Sequence, residues 1–260
     1  MRVFSSKIKN GLYLIYRIVS PYLDIFNTIK SILATPRSVA DITKYHLLNK
    51  NRSFKISFFN LFPQLQDKTI TTTIDSHYYY QQIWALSKIY KYKPCNHIDI
   101  GSQVSLGGVL SITTPTEFVD IRPFDPKLPH LKAINGDICN LPYNDNAVES
   151  LSSLHVIEHI GLGRYGDQIN PEGHILAAKE LSRVLKDGGK LYISAPLGED
   201  RLCFNAHRVI SVKTMKKIFN RLRLISFSYV DDKGEYYTNV DHKRISKCNY
   251  GCGMYEFTKK

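Results

Sequence analysis

From residue 95 onward the sequence alternates short β-type runs with stretches of helical spacing, and this rhythm restricts the fold more than any other feature. Parallel strands need a crossover long enough for a helix, so alternating runs of the two kinds specify βαβ units and a parallel sheet. Strands are expected at "NHIDIG" (96–101), "EFVDI" (117–121), "LKAINGDI" (131–138), "VESLSSLH" (148–155), "KLYISAP" (190–196), "LRLISFSYVDD" (222–232) and "GMYEFTK" (253–259). One helix is expected from about Pro171, stopped by Gly188 and Gly189, and another over "SVKTMKKIFNRL" (211–222) behind a serine cap. The last two strands lack a clear crossover helix between them. The pattern therefore predicts an α/β doubly wound, seven-stranded sheet whose last strand is antiparallel.

The residues before this rhythm read differently. Residues 1 to about 60 are helical in pattern, with Pro21 and Pro36 as breaks, and "TPRSVADITKYHLL" offers a start at Thr35 with Pro36 in the first turn. An aromatic helix ending before Pro94 follows, so a helical N-terminal extension over 1–90 and a sheet domain over 91–260 are expected. Residues 1–60 hold 10 Lys and Arg against Asp24 and Asp41, so +8 of the net charge of +12 lies there. The longest clean apolar run near the start is "GLYLIY", far short of the roughly 20 residues of a membrane span, and a signal peptide is not supported either. A basic amphipathic helix at residues 1–35 in peripheral contact with an anionic membrane is one reading; a helix packed on protein is the other. Five cysteines at scattered positions do not form a disulfide framework in a chain this long, so a cytoplasmic protein is expected, with or without attachment to the inner membrane face.

Ligands of open parallel sheets bind beyond the carboxyl ends of the strands, near the point where strand order reverses. The residues standing there are Asp99, Gly101 and Ser102 after the first strand, Asp120 after the second, and Asp137 with Ile138 after the third. Gly101 permits close approach of the backbone to a ligand. Asp120 is placed to accept both hydroxyls of a ribose. Asp137 can accept from an adenine amino group against the apolar wall of Ile138.

The succession "HIDIGS", "FVDIRP", "INGDICNLPY", "SLHVIEHIG" and "RVLKDGGKLYISAP" resembles the class I S-adenosylmethionine-dependent methyltransferases over residues 95–260. More narrowly, "LHVIEHIGLGRYGD", "FNAHR" and "FSYVDDKG" resemble an uncharacterised methyltransferase-like family seen in polysaccharide-related bacterial settings. The resemblance implies a Rossmann-like fold with S-adenosylmethionine as cofactor. It would set Asp99, Gly101 and Ser102 against the methionine part, Asp120 against the ribose, Asp137 and Ile138 against the adenine, and His155 beside the sulfonium. The loop reads "DIGSQVSLG" where the superfamily has a richer glycine pattern, so a non-catalytic member that binds a partner or membrane is the alternative.

His155, Glu158 and His159 also spell H-x-x-E-H, the zinc motif of one peptidase group. That motif needs both histidines on one helix face and a third protein ligand, whereas His155 closes a strand and Gly161 follows closely. A zinc hydrolase is thus the lesser alternative, Cys248 and Cys252 with His242 form no better candidate, and no metal is expected. Two loops supply the acceptor side. "GLGRYGDQINPEG" offers Arg164, Tyr165 and Asp167, and "LGEDRLCFNAHR" offers Asn205 and Arg208 with Arg201. The guanidinium forks suit an anionic group. His159 and His207 are the candidate catalytic bases for a hydroxyl nucleophile, since imidazole titrates near neutrality. Strand four lacks the D/N-P-P-Y/F signature of amino-directed enzymes, and no basic stripe interleaved with aromatics marks a nucleic-acid surface. The expected activity is O-methylation of a saccharide or related small anionic acceptor.

Overall fold

The computed structural model describes residues 24–50, 54–243, 245 and 247–260; expectations that fall on residues 1–23 lie outside these. The chain forms two compact units, Met1–Thr73 and Ile74–Lys260. The boundary therefore falls before the aromatic helix rather than after it at 90/91. In the first unit, α1 spans Ile25–Leu48. Asp24 caps it by accepting from the Asn27 backbone N–H at 3.0 Å. The expected start at Thr35 is corrected by this helix, which runs on through Pro36 at the cost of one backbone hydrogen bond.

The second unit opens with α2, Ser76–Tyr92. Asp75 caps it by accepting from the N–H groups of His77 and Tyr78. Lys93, in the left-handed region ahead of Pro94, ends it. Gln81, Trp84, Ala85 and Ile89 form its buried stripe. Trp84, Ala85 and Ile89 join Leu106, Leu110, Leu154, Tyr192 and Met254 in one apolar cluster. That burial is why this helix folds with the sheet.

The strands and helices that follow are β1 (His97–Ile100), α3 (Val104–Leu110), β2 (Thr116–Asp120), β3 (Leu131–Asn135), β4 (Val148–Leu154), α4 (Gly173–Val184) and β5 (Leu185–Leu197). A short hairpin of β6 (Arg201–Cys203) and β7 (His207–Val209) comes next, then α5 (Val212–Ile218), β8 (Leu222–Val230), β9 (Tyr236–Tyr237) and β10 (Gly251–Lys259). The main sheet has the order β3-β2-β1-β4-β5-β10-β8-β9. β1, β2, β3, β4 and β5 pair in parallel, while β10 is antiparallel to both β5 and β8. The seven expected strands are thus present with the last antiparallel, and the two-residue β9 adds an eighth at the edge. The hairpin β6–β7 lies where the sequence suggested only a loop.

Period-two alternation sends Leu191, Ile193 and Ala195 of β5 into one cluster with Ala177, Leu181 and Met215, and Tyr192 into the other with Trp84. The sheet therefore has a core on each face. All four residues of β1 are buried, as in a central parallel strand covered on both sides. Ser211 caps α5 by accepting from the Thr214 N–H, as its position before an amphipathic run predicts. The segments 121–130 and 136–147 hold no helix, which leaves the carboxyl ends of β2 and β3 open to solvent-side loops. Strand order reverses between β1 and β4, and the residues beyond those two strands are the natural ligand-binding edge.

Candidate active site

A buried polar network anchors this edge from below. His97 on β1 lies 2.8 Å by Nδ1 from Ser150 Oγ and 2.9 Å by Nε2 from Ser152 Oγ. The Ser152 hydroxyl also donates to Asp99. Asp99 in turn accepts from the Ser102 N–H at 3.2 Å and its hydroxyl at 2.8 Å, and Ser102 Oγ accepts from the Leu154 N–H at 2.9 Å. Burial pushes the Asp99 carboxyl up to about 6 against these hydrogen bonds, and pushes His97 down to about 3. Asp99 thus holds the turn after β1 in place from within and does not line the open space itself.

Above the network opens a cavity of about 940 Å³, within the range of small-molecule and cofactor sites. Gly101, Ser102, Asp120, Asp137, Ile138, His155, His159, Tyr165 and Asp167 all border it. Gly101 has φ +64°, and a Cβ there would stand 3.3 Å from Val156 Cγ1 and 3.8 Å from Asp120 Oδ2. The glycine is favoured by its backbone angle, and an added Cβ would also press on the Val156 methyl. Asp120 closes β2, with Oδ1 accepting from the Arg122 N–H at 2.7 Å. Asp137 Oδ1 accepts from the Cys139 N–H at 2.8 Å, which fixes the turn after β3 and sets Ile138 beside it.

At the other end, His155 sits at φ +55°. Its N–H lies 3.1 Å from both the carbonyl oxygen and the hydroxyl of Ser194. Its ring packs against Tyr78, centroids 5.3 Å apart, and His77, 6.1 Å apart. Nδ1 is 2.7 Å from Glu158 Oε1, and Glu158 is wholly buried. Burial opposes a charge on this imidazole, but the Glu158 carboxylate, with Cys252 beside it, outweighs burial and holds the pKa well above the ordinary value. His155 is an imidazolium at neutral pH.

His159 contrasts with it. Nδ1 is 2.6 Å from the Ala206 carbonyl oxygen and 3.3 Å from Arg164 Nη1; the shorter contact is to an atom that only accepts, and Arg164 has the same carbonyl to donate to at 3.0 Å, so the proton is placed on Nδ1. Burial holds the pKa below the ordinary value despite Glu158. The ring is therefore neutral, with the Nε2 lone pair left as a base. Tyr165 meets it edge-on, centroids 5.5 Å apart. Arg122 and Arg164 lie 4.8 and 5.0 Å from the Tyr165 ring centroid.

Five further residues named from sequence do not border the cavity, among them Arg201, which donates to the Asn249 carbonyl at 2.8 Å. Arg164 donates to the Ala206 carbonyl at 3.0 Å. Asn205 is exposed at the turn between β6 and β7. His207 stands 6.5 Å from His159 by ring centroids and 5.3 Å from Tyr250. Arg208 donates to the carbonyls of Glu158, Ile160 and Pro171 at 3.3, 2.8 and 3.3 Å, so its guanidinium clasps the loop 160–171. Asp167 also organises that loop, accepting from the N–H groups of Gly161, Gly163 and Tyr165. Among the described residues no cluster of three or more His, Cys, Asp or Glu is arranged to hold a metal.

Sequence reading missed His77, Tyr78, Tyr250, Arg122 and Phe124. The first two stood in "SHYYY", assigned to the extension; that aromatic run behind a capping aspartate was the available signal. Arg122 and Phe124 belong to "RPFDPKLPH", whose prolines marked it as irregular and so as a loop over the cavity.

A family model described as "Caenorhabditis protein of unknown function, DUF268" matches residues 138–250. No curated protein matches the chain. Among solved structures, a protein provisionally named a sarcosine dimethylglycine methyltransferase, from Galdieria sulphuraria, is 11% identical with a TM-score of 0.52, over 70% of this chain and 86% of its own. The N-methyltransferase NodS from Bradyrhizobium japonicum, in complex with S-adenosyl-L-homocysteine, is 12% identical with a TM-score of 0.50, over 71% and 89%. The cyclase SpnF is also 12% identical with a TM-score of 0.50, over 68% and 80%. Similarity at this level is similarity of fold. With its sheet order, antiparallel last strand and ligand edge, the chain has the Rossmann-like fold of the class I S-adenosylmethionine-dependent methyltransferases.

Proposed function

We propose that the protein is an S-adenosylmethionine-dependent methyltransferase acting on a hydroxyl of a saccharide or related small anionic acceptor. The observation that carries this reading is that Gly101, Asp120, Asp137 and Ile138 border one cavity together with His155, His159 and Tyr165. The cofactor's residues fit: a Cβ at Gly101 would crowd Val156 and approach Asp120, and Asp120 closes β2 where a ribose diol needs an acceptor. Asp137 and Ile138 supply the polar and apolar sides of an adenine site. When bound, S-adenosylmethionine supplies an electrophilic methyl group.

The chain's own task is then to orient a nucleophile and take its proton. His159 Nε2, neutral and unprotonated, is the base for an acceptor hydroxyl. Tyr165 and Arg122 both border the cavity, and the Arg122 guanidinium beside that ring suits a phosphate or carboxylate on the acceptor. Asp99 and Ser102 fix the loop that must approach the cofactor.

Calorimetric titration of the full chain with S-adenosylmethionine and S-adenosylhomocysteine, beside Asp120→Ala, tests the reading. Micromolar binding that the variant loses is expected, followed by methyl transfer to a nucleotide sugar or sugar phosphate that His159→Gln abolishes. Absence of binding by folded protein would overturn it in favour of a non-catalytic member of the fold.

A further inference from the structure

In the first unit, a long amphipathic helix is covered on the wrong side for a soluble fold. No residue of α1 is buried. Ile25, Ile29, Ile32, Pro36, Val39 and Leu47 recur at the spacing of one helix face, and Leu33 and Ala40 broaden it beyond the narrow seam of a coiled coil. Ile32 and Leu33 are 64% and 75% exposed. The chain after α1 turns back along the helix but touches the opposite face. Tyr45 and Asn49 donate to the Phe54 carbonyl, Gln66 donates to the Asn27 carbonyl and Ser31 hydroxyl, and Lys68 pairs with Asp41 at 3.6 Å. Asn27, Ser31, Asp41 and Tyr45 of the helix and Asn49 just past its end are polar and lie together across the helix from the isoleucines. The returning segment carries apolar side chains of its own, with Phe58, Phe59 and Phe62 at 80%, 93% and 86% exposure.

Charge decides what covers this surface. Lys30, Arg37 and Lys44, at seven-residue intervals, make a basic row along one border of the apolar face, while Thr28, Thr35 and His46 mark the other border. Lys30 and Arg37, with Leu33, Ala34, Leu65 and Gln66, also line a hollow of about 430 Å³. Of the described residues, the one carboxylate near the basic row, Asp41, already pairs with Lys68 at 3.6 Å, so a second copy would bring no other to meet that row. Among the described residues no helix is long and apolar enough to cross a membrane, so the helix would lie in the interface. We infer that α1 docks on an anionic lipid surface, apolar face in the acyl boundary and the basic row at the phosphates. This inference is independent of the methyl-transfer reading.

The test is co-sedimentation of the full chain with vesicles of phosphatidylcholine alone and with added phosphatidylglycerol, at low and high salt. Binding to the anionic vesicles alone is expected, weakened by salt. The combined Lys30→Glu, Arg37→Glu and Lys44→Glu variant should lower partitioning by about a hundredfold or more. Ile32→Asp with Leu33→Asp should abolish it, with helix content by circular dichroism unchanged. Equal binding to both vesicles, or wild-type binding by either variant, overturns the inference. So does a dimer in sedimentation equilibrium that Ile32→Asp with Leu33→Asp dissolves in a protein that ignores vesicles.

Discussion

His155 and Glu158 form a buried pair in which Nδ1 lies 2.7 Å from Oε1, with Cys252 against the same imidazole and Oε2 left without a hydrogen-bond partner. A single hydrogen bond joins the two groups out of reach of water. Such a pair gives a fixed positive imidazole beside the neutral His159, two histidines in opposite protonation states set by their surroundings.

Glu158→Gln should expose this coupling through pH. A histidine whose folded pKa stands above its unfolded value near 6.5 contributes most stability below that pH, and the contribution is lost as pH rises through the folded value. The variant should therefore show its largest Tm deficit near pH 6, shrinking toward pH 9. Breaking a buried pair costs about 3 to 5 kcal/mol. Thermal unfolding at both pH values measures it, and a deficit that grows with pH would contradict the charged state of His155.

Asp99→Asn should work in the other direction. Burial raises the Asp99 pKa from 3.8 to about 6, so the folded state binds the proton more tightly and stability falls as pH rises across that interval. The loss amounts to about 3 kcal/mol at most. The amide has nothing to ionise, so the variant should gain on the wild type between pH 4 and pH 6 and hold that advantage above. Chemical denaturation across this range would refute the argument if the two curves ran parallel.

Gly101→Ala separates strain from crowding. An alanine at φ +64° costs about 1 to 2 kcal/mol, which for a domain of this size lowers Tm by about 2 to 8 °C. Its Cβ also meets Val156 and nears Asp120 at the cavity wall, so S-adenosylmethionine binding should weaken. Gly188→Ala is the control: φ is +74° there with nothing within 4 Å of the added Cβ. It should lose similar stability and no affinity. Equal loss of affinity in both would show that Gly101 matters only as a turn.

The parallel strands were legible because β1, β2 and β3 are short β-type runs that end on or beside a glycine or an acid, and β4 and β5 are longer buried runs. Gly101, Asp120, Asp137 and Ile138 were legible for the same reason, since the end of a strand fixes where its next residues stand. The acceptor side was not. Arg208 and Asp167 looked like ligand contacts, but their groups are spent on loop carbonyls and N–H groups, a choice that depends on which backbone atoms the loop leaves unpaired. His77 and Tyr78 reach His155 only because Trp84, Ala85 and Ile89 bury α2 on the sheet, a tertiary contact that helical spacing alone does not disclose.

Arg208→Lys tests the loop directly. Three carbonyls, from Glu158, Ile160 and Pro171, converge on one guanidinium. A lysine ammonium is a point donor that cannot span them, because the planar fork fixes several directions at once. The carbonyls would then turn to water, and the loop from Ile160 to Pro171 would open more often without unfolding the sheet. Hydrogen exchange resolved by peptide should show faster exchange confined to residues 160–171, with the β1 and β4 amides unchanged. If Arg208 instead serves only to bind an acceptor, Arg208→Lys should leave exchange in the free protein as it was.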